Sequence, residues 1–187
     1  IIIMSQVIVI KKVGGVFFEQ NNFEQSANKC IEAIKLLDQN KHLLEKNSDE
    51  TVKNRFYNSY VGSIINHAII IVRFGNIFYN QNKFKQAEEK YNEVIKLLGQ
   101  NKHLLEKTSY EEIKNIFYNL YVRVITNHAV TINRIGGIIF SQNKFEQAKA
   151  KCNEAIELLD KNKHLLEKVS DEGLKNIFYN LCSNINA

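Results

Sequence analysis

Proline is absent from this 187-residue chain, where average usage near 5% would supply roughly nine. Without it no fixed kink exists anywhere, and only eight glycines remain as punctuation, so long helices are permitted throughout. A proline-rich linker and a collagen-like tract are both excluded. Tryptophan is also missing, and cysteine is limited to Cys30, Cys152 and Cys182. Three thiols without CxxC or metal-ligand spacing leave one over from any pairing, which points to a reducing compartment and a cytoplasmic protein. No uninterrupted apolar run approaches the 18 or so residues of a membrane span, and no span is expected.

What is present is enough for a packed core. Apolar residues make up 44% of the chain and charged residues 24%, too apolar a mixture for a disordered segment. The net charge of +5 comes from lysine spread along the chain, not from a basic block, so a nucleic-acid footprint is the less favoured reading. The apolar stretch from Ile1 to Ile10 lacks a preceding basic region and a small-residue cleavage site, so it does not read as a signal sequence. Left uncovered, that stretch would expose an apolar face, and self-association or a longer natural protein is expected.

The dominant feature is self-similarity. The string Asn40-Lys41-His42-Leu43-Leu44-Glu45-Lys46 returns at Asn101 to Lys107 and at Asn162 to Lys168, an offset of 61 residues each time. Phe56-Tyr57-Asn58 likewise matches Phe117-Tyr118-Asn119 and Phe178-Tyr179-Asn180. Aligning residues 75–126 with 136–187 gives about 30 identities in 52 positions, beyond what shared composition produces. The reading is therefore a single repeat array over 1–187, with units at approximately 14–74, 75–135 and 136–187. Residues 1–13 form the end of a preceding helix.

Within each unit the apolar period is helical. Phe84, Ala87, Tyr91, Val94, Ile95 and Leu98 step by three and four, the stripe of an amphipathic helix. A break follows at Gly99-Gln100-Asn101, and the His-Leu-Leu-Glu-Lys piece reads as one further turn. Ser109-Tyr110-Glu111-Glu112 has the pattern of a capping box, with Ser48 and Ser170 at the same place in the other units. From Ser109 a second stripe of Ile113, Ile116, Phe117, Leu120, Tyr121, Val124, Ile125, Ile132, Ile135 and Ile139 runs almost to Asn143. Thr126-Asn127 is its weakest point, because neither residue favours a helix interior, so the stripe reads as one long helix or as two shorter ones, with a bend there the preferred form. Gly75 and Gly136 lie inside apolar stripes, where glycine costs about 1 kcal/mol against alanine, so close helix contact is expected at both.

These residues resemble the tetratricopeptide repeat. Gly75, Phe78, Phe84, Ala87, Tyr91 and Val94 have its spacing, as do Gly14, Phe17, Phe23, Ser26, Cys30 and Ala33, and Gly136, Ile139, Phe145, Ala148, Cys152 and Ala155. The match covers about 34 residues per unit. Nearly half of each unit lies outside it, and the family's tryptophan and terminal proline are missing. The resemblance implies an all-α fold, a right-handed α-solenoid of TPR-like helix pairs with extended or additional helices. It also implies a non-catalytic protein-protein interaction scaffold that holds a peptide or protein partner in a concave groove lined by the first helix of each pair.

On that helix Lys12, Arg73 and Arg134 form one column, Phe18, Tyr79 and Phe140 a second, and Glu19, Asn80 and Ser141 a third. With Asn76, the expected partner-binding residues are Arg73, Tyr79, Asn80, Arg134, Phe140 and Ser141. Cations beside aromatics and amides suit a peptide carrying carboxylates, which arginine grips bidentately. The family's carboxylate clamp needs further lysine and asparagine positions that only Asn76 and the arginines approach.

No catalytic or metal motif competes with this reading. His42, His103 and His164 recur without Cys, Asp or Glu at ligand spacing, so surface or helix-terminal roles are expected and no metal or cofactor. His67 and His128 read as satisfied core positions or groove neighbours. Cys30 and Cys152 occupy the stripe position of Tyr91 and read as small core hydrophobes. With no phosphate loop, nucleophile elbow or paired carboxylates in view, the chain reads as a non-enzyme. The alternatives are a basic helical repeat that binds polyanions or nucleic acid, and a regulatory bundle that self-associates into a homo-oligomer.

Overall fold

The structure, a computed structural model, describes residues 2–45 and 48–186. Among these residues there is no strand. The fold is all-α, with helices α1 (Ile2–Glu19), α2 (Phe23–Asn40), α3 (His42–Glu45), α4 (Glu50–Asn80), α5 (Phe84–Asn101), α6 (Glu111–Ser141), α7 (Phe145–Asn162) and α8 (Glu172–Asn186). Two 3-10 segments, Lys102–Lys107 and Lys163–Lys168, follow α5 and α7. The 61-residue spacing persists in the elements, since α2, α5 and α7 start at residues 23, 84 and 145 and α4, α6 and α8 at 50, 111 and 172. The extra turn expected after each second helix is α3 or a 3-10 segment; Lys46, which ends the first copy of that string, lies outside the described residues.

The chain divides into two compact bodies, Ile1–Ile70 with Leu97–Lys114, and Ile71–Lys96 with Asn115–Ala187. In the first, α1 packs on α2, and the Ser26 hydroxyl donates to the Gly14 carbonyl at 2.8 Å. Its core holds Val7, Ala33, Leu37, Val61 and Ile64, while Ile2, Ile8 and Val9 stay exposed on α1. In the second, α7 packs on α8 and on the 3-10 segment that follows α7. Its core holds Val94, Phe117, Ile125, Ile132, Leu159 and Phe178.

The apolar stripe of α5 is the buried stripe: Phe84, Ala87, Tyr91, Val94 and Leu98 are buried, with Ile95 half-buried. On α6 the agreement is less complete, because Ile116 is exposed while Thr126, His128 and Thr131 are buried. No break falls at Thr126-Asn127: α6 is one helix of 31 residues, a length of about 46 Å, not two shorter ones. Each threonine hydroxyl donates to the carbonyl one turn back, Thr126 to Val122 at 2.9 Å and Thr131 to Asn127 at 2.8 Å. That bond removes the cost of burying a hydroxyl, and packing of the surrounding isoleucines and valines outweighs weak propensity.

Helix α4 has the same 31-residue length and is apolar enough, by length and composition, to cross a membrane. Half of its most apolar stretch is buried within the protein.

The turns between α1 and α2, α4 and α5, and α6 and α7 are built alike. Asn21, Asn82 and Asn143 take φ of 57°, 59° and 59°, the left-handed region that asparagine tolerates better than most residues. At the second turn the Asn82 N–H donates to the Tyr79 carbonyl at 2.9 Å and the Lys83 N–H to the Phe78 carbonyl at 2.9 Å. These are the two bonds of a Schellman motif, with asparagine in the place usually held by glycine.

Helix starts differ from expectation by one residue. Asp49 Oδ1 accepts from the Thr51 and Val52 amides at 2.8 and 3.3 Å, and Asp171 Oδ1 from the Leu174 amide at 3.0 Å. The caps are thus these aspartates, not Ser48 and Ser170. Ser109 forms no capping box either, because α6 begins after Tyr110, which stands where the other repeats carry aspartate. The expected serines serve elsewhere: the Ser170 amide donates to Asn119 Oδ1 at 3.3 Å and its hydroxyl accepts from Asn119 Nδ2 at 3.3 Å. Asn58 similarly accepts from the Thr108 hydroxyl, so two of the repeated Phe-Tyr-Asn asparagines tether the segment entering the next helix.

Tyr110→Asp should therefore supply the missing cap and raise stability by about 0.5–2 kcal/mol. The tyrosine ring is largely exposed, so little packing is lost with it. An unchanged or lower urea midpoint would contradict the assignment.

Candidate functional site

Within the second body, α6 and α7, with Ile185 of α8, line an open cavity of about 720 Å³. Its wall includes Arg134, Gly136, Gly137 and Phe140 from α6, and Lys149 and Cys152 from α7. Two of the expected groove residues, Arg134 and Phe140, are thereby brought together. Lys149 was not anticipated from the sequence, since it lies on the second helix of the pair, away from the arginine and aromatic columns.

The other expected residues have diverse surroundings. Arg73 and Asn80 are exposed on α4. Asn76 is half-buried, and its Oδ1 accepts from the Tyr91 hydroxyl at 2.7 Å, so that oxygen is committed to internal packing. Tyr79 packs edge-on against Phe84 with ring centroids 5.3 Å apart. Phe140 and Phe145 repeat this pairing at 5.2 Å, and Phe18 and Phe23 at 5.4 Å. In the third repeat both rings are left exposed, Phe140 by 60% and Phe145 by 54%. The Ser141 hydroxyl turns back to the Ile138 carbonyl at 2.7 Å.

The glycines behave as expected from their place in the stripes. A Cβ on Gly75 would stand 2.7 Å from the Tyr91 ring, and one on Gly136 would stand 3.4 Å from the Ala148 carbonyl and Cys152 Sγ. Burial pushes the Tyr91 hydroxyl up to about 12, so the phenol stays protonated and able to donate.

Of the two cysteines read as small core hydrophobes, Cys30 fits that role, whereas Cys152 is half-buried and lines the α6–α7 cavity. Cys30 is buried, and burial pushes its thiol up to about 11 against the opposing pull of Lys11. Lys11 is held below its usual value by the same burial. A thiol so shifted is protonated near neutrality and is a poor nucleophile. Cys152 Sγ donates to Asn133 Oδ1 at 3.6 Å, a weak bond. Among the described residues no group of three His, Cys, Asp or Glu side chains could hold a metal ion. His103 and His164 lie at helix ends, each with Nδ1 3.0–3.1 Å from a carbonyl, those of Gln100 and Lys161.

His128 departs from the expectation of a satisfied core histidine. It is buried, and neither ring nitrogen meets a hydrogen-bond partner in the protein. Nearby, Lys151 Nζ lies 3.2 Å from Glu88 and 2.7 Å from Glu154. Burial lowers the His128 pKa more than the two carboxylates raise it, and Lys151 adds to the lowering. The unfolded chain takes up this proton near pH 6.5 while the folded imidazole resists, so the unfolded state binds more protons on the acid side. Stability contributed by neutral His128 is present above pH 6.5 and is lost as pH falls below it.

As pH falls below 6.5 the wild type should lose stability through this group, and His128→Leu should flatten the profile. Parallel profiles for the two proteins in urea titrations would show that His128 is not the group responsible.

Compared with models of known protein families and with curated proteins, the chain matches none.

Proposed function

We propose that the chain is a tetratricopeptide-like α-solenoid and serves as a non-catalytic, cytoplasmic scaffold that binds an acidic peptide or protein segment. The observation that carries this reading is the α6–α7 cavity, where Arg134, Lys149 and the exposed rings of Phe140 and Phe145 share one wall. Cations flanking exposed aromatic surface offer a peptide both apolar burial and carboxylate pairing. Its lining, among the described residues, carries no carboxylate that would repel an acidic partner.

Selection from a random peptide library tests the proposal. Acidic sequences should be enriched, and Arg73→Glu combined with Arg134→Glu should weaken their binding at least tenfold while helical signal and Tm hold. Exposed charges contribute little to folding, typically below about 1 kcal/mol, whereas a reversed charge facing an acidic ligand repels it. Lys85→Glu combined with Lys161→Glu is the matched control, both being exposed on second helices. Lys90 and Lys151 are unsuitable for that purpose because they are ion-paired, with Glu93 and with Glu88 and Glu154 respectively. Loss of binding in the control alone would overturn the reading. Binding that instead falls steeply with salt would favour a phosphate-contacting polyanion binder.

A further inference from the structure

Gly14, Gly75 and Gly136 stand 61 residues apart, each on the first helix of a helix pair. In the middle repeat the Tyr91 ring covers Gly75, and its hydroxyl reaches Asn76. In the other two repeats the ring and its acceptor are both replaced by small residues: Cys30 and Gly15 in the first, Cys152 and Gly137 in the third. At each of those two places there is a cavity. One of about 240 Å³ is lined by Gly14, Gly15, Phe18 and Cys30, and the 720 Å³ cavity by Gly136, Gly137, Phe140 and Cys152.

Removing both partners of a buried hydrogen bond together leaves no orphaned polar group, so neither site needs a substitute to stay folded. The two cavities differ in charge. The first is lined by Lys11 and Glu19, opposite charges that offset each other, whereas the third has Arg134 and Lys149 and no carboxylate among its described lining residues. Asn133, one turn before Gly137 and also in that wall, accepts from the Cys152 thiol at 3.6 Å, and its Oδ1 is a better acceptor for a phenol than for sulfur.

We propose that the α6–α7 cavity is the anchor site for a tyrosine side chain of the bound acidic peptide. Its ring lies beside Cys152 and over Gly137, where an added Cβ would meet nothing within 4 Å, and its neighbouring carboxylates meet Arg134 and Lys149. This rests on the reading of the chain as a peptide binder and names the residue the peptide must carry. The chain itself supplies the template: the same helix pairing, one repeat earlier, already encloses a tyrosine whose hydroxyl is satisfied by an asparagine.

The test uses three probes on the full chain: a peptide with tyrosine between two pairs of glutamates, the same peptide with alanine for tyrosine, and p-cresol as the ring alone. Calorimetry should show at least tenfold tighter binding of the tyrosine peptide than of the alanine peptide. Millimolar p-cresol should compete with the tyrosine peptide and shift the amide resonances of Gly136 and Gly137. Cys152→Tyr with Gly137→Asn, which imports the middle repeat's own pair, should abolish the preference. Cys30→Tyr with Gly15→Asn, which fills the other cavity, should keep it.

Equal binding of the two peptides would overturn the tyrosine anchor and leave the peptide-binding reading standing. Shifts by p-cresol with neither peptide bound would overturn both and leave a small-molecule ring site. If the filled variant does not fold, the p-cresol competition in the wild type decides, and its absence would overturn the anchor.

Discussion

Replacing Phe117 with alanine is expected to lower stability by about 3–5 kcal/mol, the largest effect foreseen for a single side chain here. The ring is fully buried in α6, edge-on to Tyr121 with centroids 6.1 Å apart. Alanine would leave a void that the surrounding structure can close only in part, so lost transfer energy and lost contacts add. The equivalent rings Phe56 and Phe178 are 4% and 0% exposed, which marks this as a recurrent core position. Ile116 is the matched control: one residue earlier on the same helix and 44% exposed, it should cost well under about 1 kcal/mol when cut to alanine. The check is the urea midpoint of each variant. Similar midpoints would mean that α6 is rotated from the orientation described.

The second large effect concerns Gly75. Because a Cβ there would meet the buried Tyr91 ring at 2.7 Å, Gly75→Ala should cost about 1–3 kcal/mol through overpacking, despite alanine's better helix propensity. Tyr91→Cys, which copies the outer repeats, should itself be destabilising, since it removes a buried ring and its bond to Asn76. In the double variant the clash is gone, and alanine at position 75 should then be neutral or stabilising. The two substitutions are thus non-additive by 1 kcal/mol or more, roughly, as expected of residues in contact. Additive losses would show that the ring does not lie over the glycine.

The same pair shows how far the sequence could be read. Helical periodicity depends only on local geometry, so the stripe from Phe84 to Leu98 identified the buried face of α5 before any packing was known. The 61-residue recurrence likewise predicted the order and spacing of the elements, because similar sequences form similar local structure. A glycine within such a stripe signalled close contact. That Tyr91 is what contacts it, and that cysteine leaves a cavity in the same place, depends on side chains from two helices meeting.

Other features were set by tertiary structure for similar reasons. Propensity marked Thr126-Asn127 as weak, yet burial among apolar neighbours and hydroxyl bonds one turn back keep α6 whole. Ser48, Ser109 and Ser170 have good capping chemistry, but cap geometry is decided by where the chain enters the helix, and the neighbouring Asp49 and Asp171 take the role. Of the columns read along the first helices, Arg134 and Phe140 share a cavity wall with Lys149, while Asn76 is consumed by Tyr91. Sequence alone therefore determined the helical class, the repeat and most of the buried stripe, all of which follow from short-range periodicity. The tertiary structure decided which recurrent residues face a cavity, which cap a helix and which lie buried without a partner, because each of those depends on atoms brought together from distant parts of the chain.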